Sequence, residues 1–313
     1  MGKFKTLASI AVCSAVVAVA PFAAHATTIR FAGPQTQQVH YFANGWIKDD
    51  ANGVIYHTPH YMMTRRQAMQ MHVHPNIQLT YGNGPVLETP HIYLIFWGYK
   101  ASGDPNKLHK LLKLYATNVG GSKLENVAIQ YYGQGHQFIA NSPGWLKGVW
   151  NDNHAIPSNP TDGQVAAEAV SSIAKFGFDP NGSYVVATAH GHSISGFGTQ
   201  FCAYHSDVNS SKGIISYTNL PYMPDAGGNC GSNIISPPND ETGADEGMTI
   251  VEGHELMESV TDPQPFSGWN SGQGEIGDLC AWTNILNDPF GTFSYTSQPE
   301  FSNATSSCVH TYP

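Results

Sequence analysis

The sequence predicts an α/β (α+β) protein, a mixed sheet with packed helices and long disulfide-held loops. Three observations carry that reading. His91-Ile92-Tyr93-Leu94-Ile95-Phe96-Trp97 is a near-continuous β-branched and aromatic run, the pattern of a strand covered on both faces. Two segments with apolar residues at helical spacing follow it, and a second apolar run, Ser183 to Ala189, comes directly after them. Strand, helix, helix and strand in that order place helices against a mixed sheet.

The elements follow in chain order. Residues 1–26 carry Lys3 and Lys5, an apolar run from Leu7 to Ala20 and then Ala24-His25-Ala26, the layout of a cleavable signal peptide. The mature chain is expected to start near Thr27. Residues 27–80 are polar, hold His40, His57, His60, His72 and His74, and show no sustained period. They read as an N-terminal arm or short prosegment ahead of a single domain over 81–313, since no Pro/Ser-rich linker or internal repeat divides the remainder. Past the first strand, Asp104-Pro105 offers an N-cap with proline at the first helical position. Leu108, Leu111, Leu112 and Tyr115 then keep helical spacing up to Gly120-Gly121. The second helix begins after Pro160-Thr161-Asp162, carries Val165, Ala169, Ile173 and Phe176 on one stripe, and stops at Gly177. Residues 191–245, rich in Gly, Ser, Asn and Pro, read as long functional loops.

Of five cysteines, Cys13 lies in the leader, which leaves Cys202, Cys230, Cys280 and Cys308 as an even set suited to an oxidising compartment. Three pairings are open. Chain proximity favours Cys202–Cys230 and Cys280–Cys308, whose loops of about 28 residues are each worth about 3 kcal/mol.

Composition excludes some functions. The chain holds 14 Lys+Arg against 23 Asp+Glu, so removing the two leader lysines leaves 12 against 23, a net −11. Such a chain has no positive footprint for nucleic acid. The leader run is too short to span a bilayer, and no later stretch approaches the roughly 20 apolar residues a spanning helix needs. A secreted (extracellular or periplasmic) monomer, off the membrane once the signal is cleaved, is the expectation.

The most informative segment runs from Asp245 to Pro263. Its leading acids, apolar Ile250, Val251, Met257 and Val260, and stop at Pro263 predict a helix of about four turns over 247–261. On it His254 and Glu258 project from one face, so an imidazole and a carboxylate can close on one ion. Glu255 sits about 100° round, within reach of a metal-activated water as general base. The pattern is His-Glu-x-x-His with glutamate as the second ligand. Zn²⁺ accepts such a set and needs a third ligand from downstream, which Glu275 or Asp278 can supply. A structural Ca²⁺ is the alternative ion, because Asp262, Glu275 and Asp278 are hard oxygen donors.

Other residues weigh less. His190-Gly191-His192 follows a strand and His205 lies close to Cys202, positions where site residues collect, although a hydrogen-bonded structural role is the simpler reading of each. Gly191-His192-Ser193-Ile194-Ser195 approximates a nucleophile elbow, but Ser195 replaces the second glycine, so the tight turn is not encoded. Asn181, Asn209 and Asn303 open glycosylation sequons that do not bear on catalysis.

Leu79-Thr80-Tyr81-Gly82-Asn83-Gly84-Pro85-Val86-Leu87, continuing into Tyr93-Leu94-Ile95-Phe96-Trp97-Gly98, resembles the opening of the plant EXORDIUM / phosphate-induced protein family. Phe201-Cys202-Ala203-Tyr204-His205 and Val260-Thr261-Asp262-Pro263 resemble later segments of the same family, and the likeness spans roughly residues 79 to 310. The chain departs from the plant pattern at His254 and Glu255. There it is closer to secreted microbial relatives with His-Glu-x-x-Glu, Thr-Asp-Pro and Glu-Ile-Gly-Asp-x-Cys in series, which resemble zincin-type metallopeptidases. That resemblance implies a zincin-like core and zinc-dependent hydrolysis of a protein or peptide substrate. His254, Glu258 and Glu275 or Asp278 would hold the metal, Glu255 would take the proton, and His205 or His192 would stabilise the oxyanion. The EXORDIUM resemblance implies the alternative, a non-catalytic extracellular protein that binds cell-wall polysaccharide or a secreted partner, for which 14 Phe, 6 Trp and 15 Tyr supply stacking surfaces.

Overall fold

The computed structural model describes residues 39–41, 45–70, 77–238 and 241–313; the expected leader, and His72 and His74 with it, lie outside them. The strands are β1 Val39–Tyr41, β2 Trp46–Asp49, β3 Val54–His57, β4 His60–Met63, β5 Thr80–Tyr81, β6 His91–Trp97, β7 Leu146–Asp152, β8 Gly182–Thr188, β9 Phe201–Ser210, β10 Gly213–Leu220, β11 Trp269–Asn270, β12 Leu286–Phe290, β13 Phe293–Ser297, β14 Glu300–Ser302 and β15 Ser307–Val309. The α-helices are α1 Arg65–Ala68, α2 Tyr99–Ser102, α3 Leu108–Asn118, α4 Asp162–Phe176 and α5 Glu246–Thr261.

One mixed sheet runs β1-β2-β3-β9-β10-β8-β6-β7, with β4 also pairing to β9. Its β10/β8, β8/β6 and β6/β7 pairs are parallel and the rest antiparallel. The expected central strand is β6, and its continuous apolar run is explained by cover on both faces. Ile92, Leu94 and Phe96 join the core built by Leu112 and Tyr115 of α3 and Ile250 and Met257 of α5. The alternate residue Tyr93 meets Phe176 of α4, ring centroids 5.0 Å apart, so α4 covers the other face. The second expected helix has the expected bounds. Thr161 accepts from the Gln164 backbone N–H, the Gln164 side chain accepts from the Thr161 N–H, and Gly177 closes the C-terminus at φ 88°.

Three features differ from the expectations. The first helix starts at Leu108 rather than Pro105, because Lys107 takes a left-handed conformation and Asp104 caps from a distance, its carboxylate accepting from the N–H groups of Leu108 (2.8 Å) and His109 (3.0 Å). The 191–245 stretch holds the β9–β10 hairpin. Its buried centre, Tyr204-His205-Ser206-Asp207, breaks the apolar run by which a central strand is recognised. Residues 46–63, within the expected arm, form β2, β3 and β4 and pair into the sheet against β9. Both expected disulfides form, Cys202–Cys230 and Cys280–Cys308.

Candidate metal centre

Every residue of α5 is buried, although the helix carries Glu246, Glu252, His254, Glu255 and Glu258. A helix enclosed on all sides is ordinarily apolar, and burying carboxylates in one is costly unless they meet partners. The partners come from three directions. Strand β9 contributes His205, β4 contributes His60 directly across the ladder from it, and the loop after β11 contributes Glu275 and Asp278. That loop closes tightly because residue 277 is glycine: a Cβ there would lie 2.6 Å from His254 Nδ1.

The resulting cluster is held by distances that are mostly too long for hydrogen bonds. His254 Nε2 lies 3.1 Å from Glu258 Oε1 and 3.8 Å from Asp278 Oδ1. His205 Nδ1 lies 3.4 Å from both Glu255 Oε2 and Glu258 Oε2, and its Nε2 lies 3.5 Å from Glu275 Oε2. His60 approaches Glu275 Oε1 at 3.6 Å through Nδ1 and makes a short contact of 2.5 Å to Asp278 Oδ2 through Nε2. Among the described residues, every ion-pair contact to the carboxylates of Glu255, Glu258, Glu275 and Asp278 comes from a histidine. His205 Nδ1, His254 Nε2, both oxygens of Glu255 and Glu275, and Glu258 Oε2 are buried without a hydrogen-bond partner. Seven such atoms within one cluster of facing histidines and carboxylates mark a place where a further ligand fits.

The imidazoles are held at their far sides. His205 Nε2 donates to the Asp262 carbonyl at 3.2 Å, which leaves Nδ1 facing two carboxylates. The Gln298 amide nitrogen sits 3.1 Å from His254 Nδ1 and 3.0 Å from the Gly277 carbonyl, turning His254 Nε2 into the cluster. The His205 contact, a ring N–H given to a carbonyl, is of the kind that orients a metal-binding histidine.

The protonation of the cluster follows from the same crowding. Burial pulls His254 down, but Glu258, Glu255 and Asp278 outweigh it and raise the ring to about 10. Burial likewise opposes the charge on His205 and His60, and their carboxylate neighbours raise both well above the usual histidine range. Burial pushes Glu275 well up, and Glu255 is raised by the same cause. Glu258 is held well below the carboxylate range, because His254, His205 and His60 overcome the burial that would raise it.

His254, Glu258 and Glu255 thus meet as their spacing on one helix predicts, and the structure brings Glu275 and Asp278 together with them rather than one of the two. His205 joins them, whereas His192 does not: its ring is taken up by Ser102 Oγ and the Pro157 carbonyl, both at 2.8 Å. His60 was not singled out from the sequence; the density of histidines in residues 27–80 was its only signal. Asp262 lines the site from the end of α5. Its Oδ1 accepts from the N–H groups of Gly268 (2.6 Å) and Ser267 (3.1 Å), while Oδ2 is buried without a partner.

A second feature lies apart from the cluster. Tyr81, Tyr132 and Trp269, with Thr80, Asn83, Gln134 and His136, line a surface cleft of about 550 Å³. Tyr81 stacks on Trp269 (centroids 5.4 Å, 25°), Tyr132 stands perpendicular to it at 5.0 Å, and the Trp269 indole N–H donates to the Tyr132 carbonyl at 2.8 Å. Gly268, whose N–H is bound by Asp262, accepts from the Gly82 N–H at 2.7 Å, so one backbone residue links the buried cluster to the cleft.

Comparison with known proteins gives one relation of use. The chain is 26% identical over 241 residues, 65% of its length, to Protein EXORDIUM-like 5 of Arabidopsis thaliana, and the match spans 64% of that protein, under two thirds of its length. This agrees with the EXORDIUM resemblance and adds nothing to the zincin-type one. No protein-family model matches the chain. No solved structure matches it significantly.

Proposed function

We propose that the protein is a non-catalytic extracellular binding protein that takes polysaccharide in the cleft of Tyr81, Tyr132 and Trp269 and is stiffened by a divalent metal in the His/carboxylate cluster. The observation that carries this reading is burial. His205, His254, Glu255, Glu258 and Glu275 are all 0% exposed, whereas a catalytic constellation must admit substrate to its general base. The cleft, by contrast, is open and combines aromatic faces with amide, hydroxyl and imidazole groups, the mixture that recognises a pyranose ring. The EXORDIUM-like relative supports the same reading, and two disulfides fit an oxidising compartment outside the cell.

Three imidazoles among the donors favour Zn²⁺ or a similar transition ion over Ca²⁺, which takes oxygen ligands. The metal, when bound, supplies the positive charge that the buried carboxylates otherwise draw from protons. The test is retention of the purified protein on a panel of insoluble cell-wall polysaccharides, with Tyr81→Ala and Tyr132→Ala beside the wild type. Retention of the wild type that falls at least tenfold in both variants is expected; no retention, or equal retention by the variants, overturns the reading.

One observation favours peptide hydrolysis as a second reading. Glu255 lies against His205 with both oxygens unpartnered, and the cluster has an exposed edge, where the side chains of His60 and Asp278 are 12% and 18% accessible and Phe266 covers the His60 ring at 5.2 Å. Glu255 would then hold the proton taken from the nucleophile. Casein hydrolysis by zinc-supplied protein, abolished in Glu255→Gln, would move this reading to the front; activity unchanged by Glu255→Gln removes it.

A further inference from the structure

We infer that the cluster is a dinuclear centre in which the Glu258 carboxylate bridges two divalent ions. The inference rests on the metal-binding reading above and goes beyond it in the number of ions and the role of one residue. His60, Glu258 and Asp278 each place a ligand atom within 4.8 Å of the others, and His205, Glu258 and Glu275 do the same. Glu258 is the member common to both groups. Its two oxygens face different members of the cluster: Oε1 lies 3.1 Å from His254 Nε2 and accepts from the Asp278 N–H at 3.1 Å, and Oε2 lies 3.4 Å from His205 Nδ1.

Distances point the same way. Two donors each about 2.1 Å from a tetrahedral ion lie about 3.4 Å apart. The 3.4 Å separations of His205 Nδ1 from Glu255 and Glu258 match such an edge, and the 3.1 and 3.8 Å separations around His254 bracket it. The His205 orientation fits the same picture. With its Nε2–H given to the Asp262 carbonyl, Nδ1 of a neutral ring points a lone pair at two carboxylate oxygens, an arrangement that repels unless a proton or a metal cation lies between them.

One ion does not satisfy this set. A single four-coordinate ion leaves at least three of the seven unpartnered atoms of His205, His254, Glu255, Glu258 and Glu275 as they are. The four carboxylates Glu255, Glu258, Glu275 and Asp278 carry four negative charges when ionised, which two dications balance with all three histidines neutral.

The experiment strips the full-length secreted protein with chelator and titrates it with Co²⁺ alone, reading bound metal by elemental analysis and coupling between ions by electron paramagnetic resonance. Two Co²⁺ per chain, with the spectrum of a magnetically coupled pair, are expected. His205→Ala should retain one uncoupled ion, and so should His60→Ala, which keeps the test decisive even where Glu258→Gln does not fold. One ion in the wild type overturns the dinuclear centre and leaves the metal-binding reading standing. Two uncoupled ions overturn the Glu258 bridge. No bound ion overturns both readings.

Discussion

His205 on β9 and Glu258 on α5 face each other in a fully buried space, Nδ1 3.4 Å from Oε2, while the other ring nitrogen of His205 donates to the carbonyl of Asp262 at the end of the same helix. A neutral ring in that tautomer directs a lone pair at a carboxylate. The contact is stable only with a proton or a cation between the two groups, and each of these has a measurable consequence.

Metal removal is the first. A ligand present at about a thousand times its Kd stabilises the native state by about 4 kcal/mol, which for a chain of this size is roughly 10 °C in Tm. Exhaustive chelation is expected to lower Tm by about that amount, and Zn²⁺ to restore it, in differential scanning calorimetry. Equal curves before and after chelation of protein shown to have held metal would mean that the ion does not support the fold.

Gly277 gives a second test, because nothing larger fits between its loop and His254. A Cβ at 2.6 Å from Nδ1 must displace either the ring or the loop that brings in Glu275 and Asp278. Gly277→Ala is therefore expected to weaken metal binding about 10- to 100-fold, the usual cost of disturbing a residue that orients a ligand. Isothermal titration with Zn²⁺ reads this directly.

The Cys280–Cys308 bond ties that loop to the C-terminal strand β15. Replacing both cysteines by serine should cost about 2–5 kcal/mol of stability in denaturant unfolding. Metal affinity should fall alongside it, since Asp278 sits two residues from Cys280. The Cys202→Ser/Cys230→Ser double variant, whose bond joins β9 to the segment packed against Gly247 at the start of α5, is expected to lose stability with a smaller change in affinity.

Glu125 predicts a pH dependence independent of the metal. Burial alone raises its carboxyl to about 8, and neither oxygen has a partner. Below its unfolded value of 4.5 both states hold the proton and the group costs nothing. As the pH rises from there toward 8 only the folded state holds it, so stability declines; beyond that range the loss is constant. Near pH 7 the cost is about 3 kcal/mol. Glu168 and Glu241 are raised to about 8 and about 7 in the same window, so Glu125→Gln should lessen the decline between pH 5 and 8 rather than abolish it, and raise stability at pH 7.5 by about 1–3 kcal/mol, measured by urea unfolding at each pH.

The sequence by itself determined a good part of this. Strand β6, helix α4 with its Thr161 and Gly177 ends, the span of α5 and the pairing of the cysteines were all legible, because each rests on interactions between residues near in the chain: helical period, caps, and loops of 28 residues. The meeting of His254, Glu255 and Glu258 was legible for the same reason, since one turn of helix fixes it. His60, and the joint use of Glu275 and Asp278, were decided only by tertiary structure. Strand β4 is short and mixed in polarity, so no period announces it, and it exists as a strand by pairing with β9, which sets His60 across from His205. Strand β9 was itself hidden, because the polar residues that break its apolar run are buried against distant partners, His205 against α5 and β4 and Ser206 and Asp207 against His57 of β3, and owe their tolerance to these rather than to their neighbours in sequence. Local rules place a residue on an element; only the closing of β4, β9, α5 and the 274–280 loop around one point could show which charged groups would share it.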